Sequence, residues 1–154
     1  MALREATVAI LKPSLLLHPP NASAVLREIK AAGFEIFRTS RQHWSLADAA
    51  SFYAEHAGRP YVDRLIQHAI SGPCLALGLI KHNAIADWRE MIGPTHVYKA
   101  QWTHPGSLRA RYGVSDTRNC FHGSDSSESV RREFALVFEG ADLDWLVERV
   151  NDVP

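Results

Sequence analysis

Apolar and polar positions along the chain change period several times, and each change falls at a proline, a glycine or a capping residue. Thr7 to Leu11 is a β-prone apolar run that stops at Lys12-Pro13. Proline has no N–H to give a sheet ladder, so the pattern predicts a strand with a lysine at its end. Asn21 is the expected cap of a helix whose buried stripe is Val25, Leu26 and Ile29, with Gly33 in the glycine position that follows many helix ends. Phe34 to Ser40 sets Phe34 and Ile36 against Phe37 and Thr39 as a second strand. Ser45 and Asp48 make an acidic capping box that opens a helix through Phe52 and Tyr53, broken at Gly58-Arg59-Pro60. Helical spacing returns from Tyr61 to Ser71 with Val62, Leu65, Ile66 and Ala69. Gly72-Pro73 stops it before the continuous apolar run Cys74 to Ile80, which reads as a central strand.

A further helix around Ile85, Trp88 and Ile92 ends at Gly93-Pro94. From there to Gly113 polar and breaker residues show no sustained period, which predicts one long loop, and long loops in compact domains are usually functional. Asp125 with Glu128 repeats the capping-box pattern ahead of a last long helix carrying Val130, Phe134 and Phe138 on one face. Leu143 to Val150 reads as a short amphipathic turn or two. The order strand, helix, strand, helix, helix, strand, helix, loop, short strand, helix suggests an α+β sandwich with helices packed on one sheet.

Composition narrows the functions open to such a domain. The chain has 154 residues, 46% of them hydrophobic, so residues 1–154 are expected to form a single domain with an adequate core. Seventeen Lys plus Arg balance seventeen Asp plus Glu. With no net charge and no basic run, nothing draws the whole molecule to nucleic acid or an anionic membrane, and any anion site must be a local cluster. No apolar stretch approaches a membrane span. Two cysteines and too few residues ahead of the first apolar run for a signal or transit sequence point toward the cytoplasm or the mitochondrial matrix.

His122 is the first candidate for chemistry. It stands between Phe121 and Gly123-Ser124-Asp125, where an extended segment meets a capped helix whose free N–H groups favour an anion. A histidine that attacks phosphorus needs one ring nitrogen free and the other held, and Glu133 is the candidate holder. The plainer alternative is a histidine that hydrogen-bonds a turn. Lys12, Arg89, Arg109 and Arg118 are candidates for a phosphate clamp, since phosphoryl transfer asks for positioning and charge neutralisation; read singly, each is more often a solvated surface charge. Tyr53 and Tyr61 offer hydroxyls and ring faces, or core packing. Cys120 and His122 are spaced as half a zinc site, but no second pair accompanies them, so no metal site is expected. The chain has neither a Walker loop nor a dinucleotide fingerprint.

The segment Asn119-Cys120-Phe121-His122-Gly123-Ser124-Asp125 resembles the Asn-x-x-His-Gly-Ser-Asp signature of nucleoside diphosphate kinases. Further anchors stand in the same order: Lys12-Pro13, Tyr53, the Arg-Pro-aromatic stretch ending in Tyr61, Ser71-Gly72-Pro73, Arg89 before Gly93 and Thr95, and Gly106-Ser107-Leu108-Arg109. The resemblance implies a ferredoxin-like α+β sandwich that moves a γ-phosphoryl group from a nucleoside triphosphate to a nucleoside diphosphate through phosphorylated His122. It implies that Ser124 and Glu133 orient the histidine. Lys12, Tyr53, Arg89, Thr95, Arg109 and Asn119 would hold phosphates and ribose, Tyr61 and Leu65 would flank the base, and Mg2+ would arrive on the nucleotide.

Ser14, Tyr61 and Asp116 depart from the usual Asp, Phe and apolar residue, and the stretch from Thr95 to Arg109 is longer than in the common enzymes. These departures resemble the divergent branch that includes the sixth vertebrate isoform. A homo-oligomer is expected, a dimer rather than a hexamer, because Val97, Tyr98 and Trp102 in the lengthened loop should redirect its packing. The rival readings are a nucleotide-binding regulatory module with little turnover, and a nucleic-acid-binding role that the neutral charge argues against.

Overall fold

The computed structural model describes residues 4–139. The elements are β1 (Arg4–Leu11), α1 (Pro13–Leu16), α2 (Pro19–Ala31), β2 (Glu35–Gln42), α3 (Leu46–Phe52) and, after a 3-10 turn at Ala54–His56, α4 (Val62–Ala69). They continue as β3 (Cys74–His82), α5 (Ala84–Ile92), α6 (Val97–Thr103), α7 (Leu108–Tyr112), β4 (Phe121–Gly123) and α8 (Ser127–Val137). The strands form one antiparallel sheet in the order β2-β3-β1-β4, so β3 is interior, as its unbroken apolar run predicts. This is the expected α+β sandwich.

Alternation along β1 sorts the core. Val8 and Ile10 point to one face, where Phe52 of α3 and Val130, Phe134 and Val137 of α8 cover them. Ala9 and Leu11 point to the other, against Leu77, Leu79, Val25, Ile29, Trp88 and Phe121. Both faces are therefore closed by helices. The β2 register slips at Phe37, between the pairs Ile36 with Leu79 and Arg38 with Gly78, and the ring lies over Gly78 so closely that a Cβ there would stand 2.7 Å from it.

Several boundaries differ from expectation for local reasons. α2 begins at Pro19 with His18 before it rather than at Asn21, because consecutive prolines preset helical φ and lack only N–H groups that a first turn leaves unused. The Ser45–Asp48 capping box is present in both directions. The second one is not: α8 is capped by Ser126, whose hydroxyl accepts from the Ser129 N–H, and Asp125 instead accepts from the hydroxyls of Ser126 and Ser129. The largest difference is the expected loop after Gly93, which holds α6 and α7. Their helical character is supplied by tertiary burial of Val97, Ala100 and Leu108, in segments too short for a period to show. The Leu143 to Val150 turns lie outside the described residues.

Candidate active site

β4 places the histidine. His122 pairs with Ile10, and cross-strand partners share a face, so its ring turns toward Phe52 and α8 while Phe121, opposite Leu11, enters the other core. The imidazole meets the Phe52 ring edge-on, centroids 4.9 Å apart. From α8, the carboxylate of Glu133, only 2% exposed, hydrogen-bonds His122 Nε2 through Oε1. Among the described residues none hydrogen-bonds Nδ1. Ser124 is completely buried behind this pair, with its hydroxyl 3.3 Å from Glu133 Oε1 and 3.4 Å from the Val8 carbonyl. One hydroxyl hydrogen serves either acceptor.

The backbone around the histidine is held from three sides. Trp88 Nε1 donates to the His122 carbonyl at 3.0 Å. Cys120 has φ 73°, a left-handed conformation that costs a non-glycine residue about 1 kcal/mol or more, and its carbonyl accepts from the Lys12 N–H at 2.8 Å. The Cys120 thiol lies 3.3 Å from both the Ser14 hydroxyl and the Tyr112 carbonyl. Among the described residues no group of three or more His, Cys, Asp or Glu could hold a metal ion. A β-carbon at Gly123 would stand 2.7 Å from Trp88 Cδ1. Gly123→Ala is therefore expected to lower stability by about 1–3 kcal/mol through overpacking, and to reduce any turnover more than nucleotide binding, since it displaces the His122 backbone; thermal melts alongside nucleotide titrations check this.

His122 opens into a cleft of about 870 Å³. Its walls carry Lys12, Tyr53, Tyr61, Leu65, Arg89, Thr95, Arg109, Asn119 and Glu133, contributed by α4, α5, α7, α8 and the segments that connect the elements. Ser124 acts from behind the wall, and Arg118 lies outside the lining. Lys12 follows β1 on the His122 face, its ammonium 3.2 Å from Asn119 Oδ1. Burial, and then the nearby Arg109 charge, lower its pKa to about 7. Arg109 donates to the carbonyls of Gly93 at 2.7 Å and Phe121 at 2.9 Å, while its buried Nε has no partner among the described residues. Burial followed by Arg89 lowers the Arg109 pKa to about 10. Two cations pressed together and a free buried donor are costly unless an anion joins them. Tyr53 is buried, and desolvation holds its phenol well above the usual range, so it remains a hydroxyl donor.

Some contributors carry no sequence signal of their own. Trp88 reads as a core residue, yet its indole N–H holds the histidine backbone. Asp116 and His96, both in the cleft lining, form a pair, Oδ2 to Nδ1 2.9 Å. Ser14 reaches His68 Nε2 at 3.2 Å and has no place in the cleft lining. Only the departure of Asp116 from the family pattern marks it in the sequence.

The family profile described as nucleoside diphosphate kinase matches residues 5–143. The chain is 42% identical over 142 residues to nucleoside diphosphate kinase 6 of Danio rerio, covering 92% of this chain and 81% of that protein. It is 41% identical over 132 residues to nucleoside diphosphate kinase 6 of Homo sapiens, covering 86% and 71%. The fold superposes on the crystal structure of the Aquifex aeolicus nucleoside diphosphate kinase with a TM-score of 0.85 at 33% identity, over 89% of this chain and 96% of that one. With the family profile spanning most of its length and these relatives matching it so broadly, the chain belongs to the nucleoside diphosphate kinase family.

Proposed function

We propose that this chain transfers the γ-phosphoryl group of a nucleoside triphosphate to a nucleoside diphosphate in two steps through His122. The observation that carries the reading is a histidine with Nε2 tied to a buried carboxylate and Nδ1 unpartnered, at the head of a cleft walled by Lys12, Arg89 and Arg109. With Nε2 protonated and donating to Glu133, the lone pair of the neutral ring is on Nδ1. That pair attacks the γ-phosphorus, an N–P bond forms, and the bond to the β–γ bridging oxygen breaks with its electrons leaving on the diphosphate. A terminal oxygen of the acceptor's β-phosphate then attacks the same phosphorus, and the N–P electron pair returns to Nδ1.

Glu133 orients the ring and stabilises the positive charge that the phosphorylated imidazole carries, and Ser124 orients Glu133. Lys12, Arg89 and Arg109 neutralise the phosphates; Tyr53, Thr95 and Asn119 add hydrogen bonds to phosphate and ribose; Tyr61 and Leu65 flank the base. Magnesium would be carried in by the nucleotide and would supply positive charge against its phosphates, beside Lys12, Arg89 and Arg109. Among the described residues no helix is long and apolar enough to cross a membrane.

Incubation with labelled nucleoside triphosphate and magnesium tests the reading. The label is expected on the protein as a phosphoramidate, lost in acid and kept in alkali, with parallel double-reciprocal plots in turnover. Intersecting plots would require a ternary complex. Nucleotide binding without a phosphorylated histidine would select the regulatory module instead.

The exposed face of α6 supports a reading of the assembly. Val97 is buried within its own chain, but Tyr98 and Trp102, one turn apart, are 69% and 87% exposed. A tryptophan that exposed is a candidate for burial against another copy. We propose a homodimer as the solution species; light scattering at micromolar concentration should give twice the chain mass, and a hexamer stable to dilution would overturn it.

A further inference from the structure

The Tyr61 hydroxyl is an atom that stacking on a base does not need, since a phenylalanine ring would offer the same face. In the structure it is engaged. It lies 2.8 Å from His56 Nδ1, and the two rings meet edge-on with centroids 5.5 Å apart. Among the described residues no other group hydrogen-bonds this hydroxyl. His56, half-buried, also leans on Tyr53, centroids 6.3 Å apart, and all three rings line the cleft.

The backbone between the two residues is what brings them together. His56 ends the 3-10 turn Ala54–His56, its N–H donating to the Tyr53 carbonyl at 2.9 Å and its carbonyl accepting from the Arg59 N–H at 3.0 Å. Gly58 then turns the chain at φ 82°, a left-handed conformation that glycine adopts without steric cost. Tyr61 follows as the residue before α4, its carbonyl accepting from the Leu65 N–H at 3.2 Å. Both backbones are tethered. The Tyr61 side chain is 38% exposed, too open for core packing alone to fix its ring, and the hydrogen bond to His56 does so.

A mobile ring loses rotamer freedom when a ligand stacks on it, and a contact that fixes the ring beforehand removes that cost from binding. Resting on the reading of the cleft as a nucleotide site with Tyr61 beside the base, we propose that His56 is a positioning residue for nucleotide binding, whose Nδ1 holds the Tyr61 hydroxyl so that the ring face is set before the base arrives. The hydroxyl serves His56 and reads no base edge. Its contribution is the same for every base, because each has a π face. Fixing one side chain through one hydrogen bond corresponds to about fivefold in affinity.

Equilibrium titration of the full chain with the magnesium complexes of ADP, GDP and inorganic pyrophosphate tests this in Tyr61→Phe, His56→Ala and the double variant. Each single substitution is expected to weaken ADP and GDP alike by about fivefold. The double variant should lose no more than either alone, since both substitutions remove the same contact. Pyrophosphate, which has neither base nor ribose, should bind every variant as it binds the parent. Parent-like ADP affinity in Tyr61→Phe or His56→Ala would overturn the inference while leaving the nucleotide site standing, as would losses that multiply in the double variant. A loss shared by pyrophosphate would make the pair a brace of the fold, and a loss for GDP without one for ADP would give the hydroxyl to the base edge; either result overturns it too. If the parent binds neither nucleotide, the nucleotide reading and this inference fall together.

Discussion

His122→Ala is expected to abolish the phosphoprotein and to lower phosphoryl transfer by about a thousandfold or more, because no other group in the cleft replaces a nucleophilic lone pair. Nucleotide binding should persist, since Lys12, Arg89 and Arg109 come from elements that the substitution does not touch. The variant also strands Glu133. This carboxylate is 2% exposed and, among the described residues, keeps only the Ser124 hydroxyl once the imidazole is gone, a loss that costs about 1–3 kcal/mol. Adding Glu133→Gln to His122→Ala should restore part of that stability without restoring transfer, which separates the chemical from the structural consequence. Mass spectrometry of the phosphorylated protein, kinetics and denaturant titrations of both variants read the three effects. An acid-stable label, or label surviving His122→Ala, would remove His122 as the nucleophile.

Lys12→Met is expected to stabilise the protein while it damages the site. The folded pKa, about 7, lies below the unfolded value of 10.5, so between those values the unfolded chain holds more protons and stability rises with pH. The cost of keeping a buried ammonium is thus fully present below about pH 7 and is relieved as pH climbs from there toward the unfolded value. Removing the charge should add on the order of 3 kcal/mol at pH 6 and progressively less above neutrality. Asn119 Oδ1 is not orphaned, because the Phe121 N–H still reaches it at 3.4 Å.

The same titration governs ligand binding. Phosphate requires charged Lys12, so binding above pH 7 must take up a proton, and nucleotide affinity of the unmodified protein should fall between about pH 7 and pH 9. In Lys12→Met the affinity should be lower by about thirtyfold or more, the worth of a charge-assisted hydrogen bond, and lose this pH dependence. Calorimetry in buffers of different ionisation heat measures the proton uptake directly. A variant that is less stable at pH 6 and binds like the parent would show that Lys12 neither carries a buried charge nor faces the phosphates.

The local pattern of the chain was sufficient for the order of strands and helices. Proline, glycine and serine act on their own neighbours, so the ends of β1 at Pro13 and β3 at Pro73, and the Ser45 cap of α3, are written in adjacent residues. The motif from Asn119 to Asp125 was legible for a related reason, being compressed into seven consecutive positions. What it could not carry was distance. Glu133 reaches His122 because Ile10 and His122 are in register and α8 packs over that face.

Packing also decided what no local period could. α6 and α7 are helices because Val97, Ala100 and Leu108 found apolar surface, and Ser126 took the cap of α8 while the Ser126 and Ser129 hydroxyls engaged Asp125. The depressed pKa of Lys12 comes from its burial beside Arg109, residues far apart in sequence. The Asp116–His96 pair arises where two surface segments meet. The sequence by itself determined which residues are present and how each short stretch bends, since those forces act within a few bonds. Only the tertiary structure decided which charges are desolvated, which nitrogen of His122 is free and which side chains share the cleft, because electrostatics and hydrogen bonding depend on separations in space.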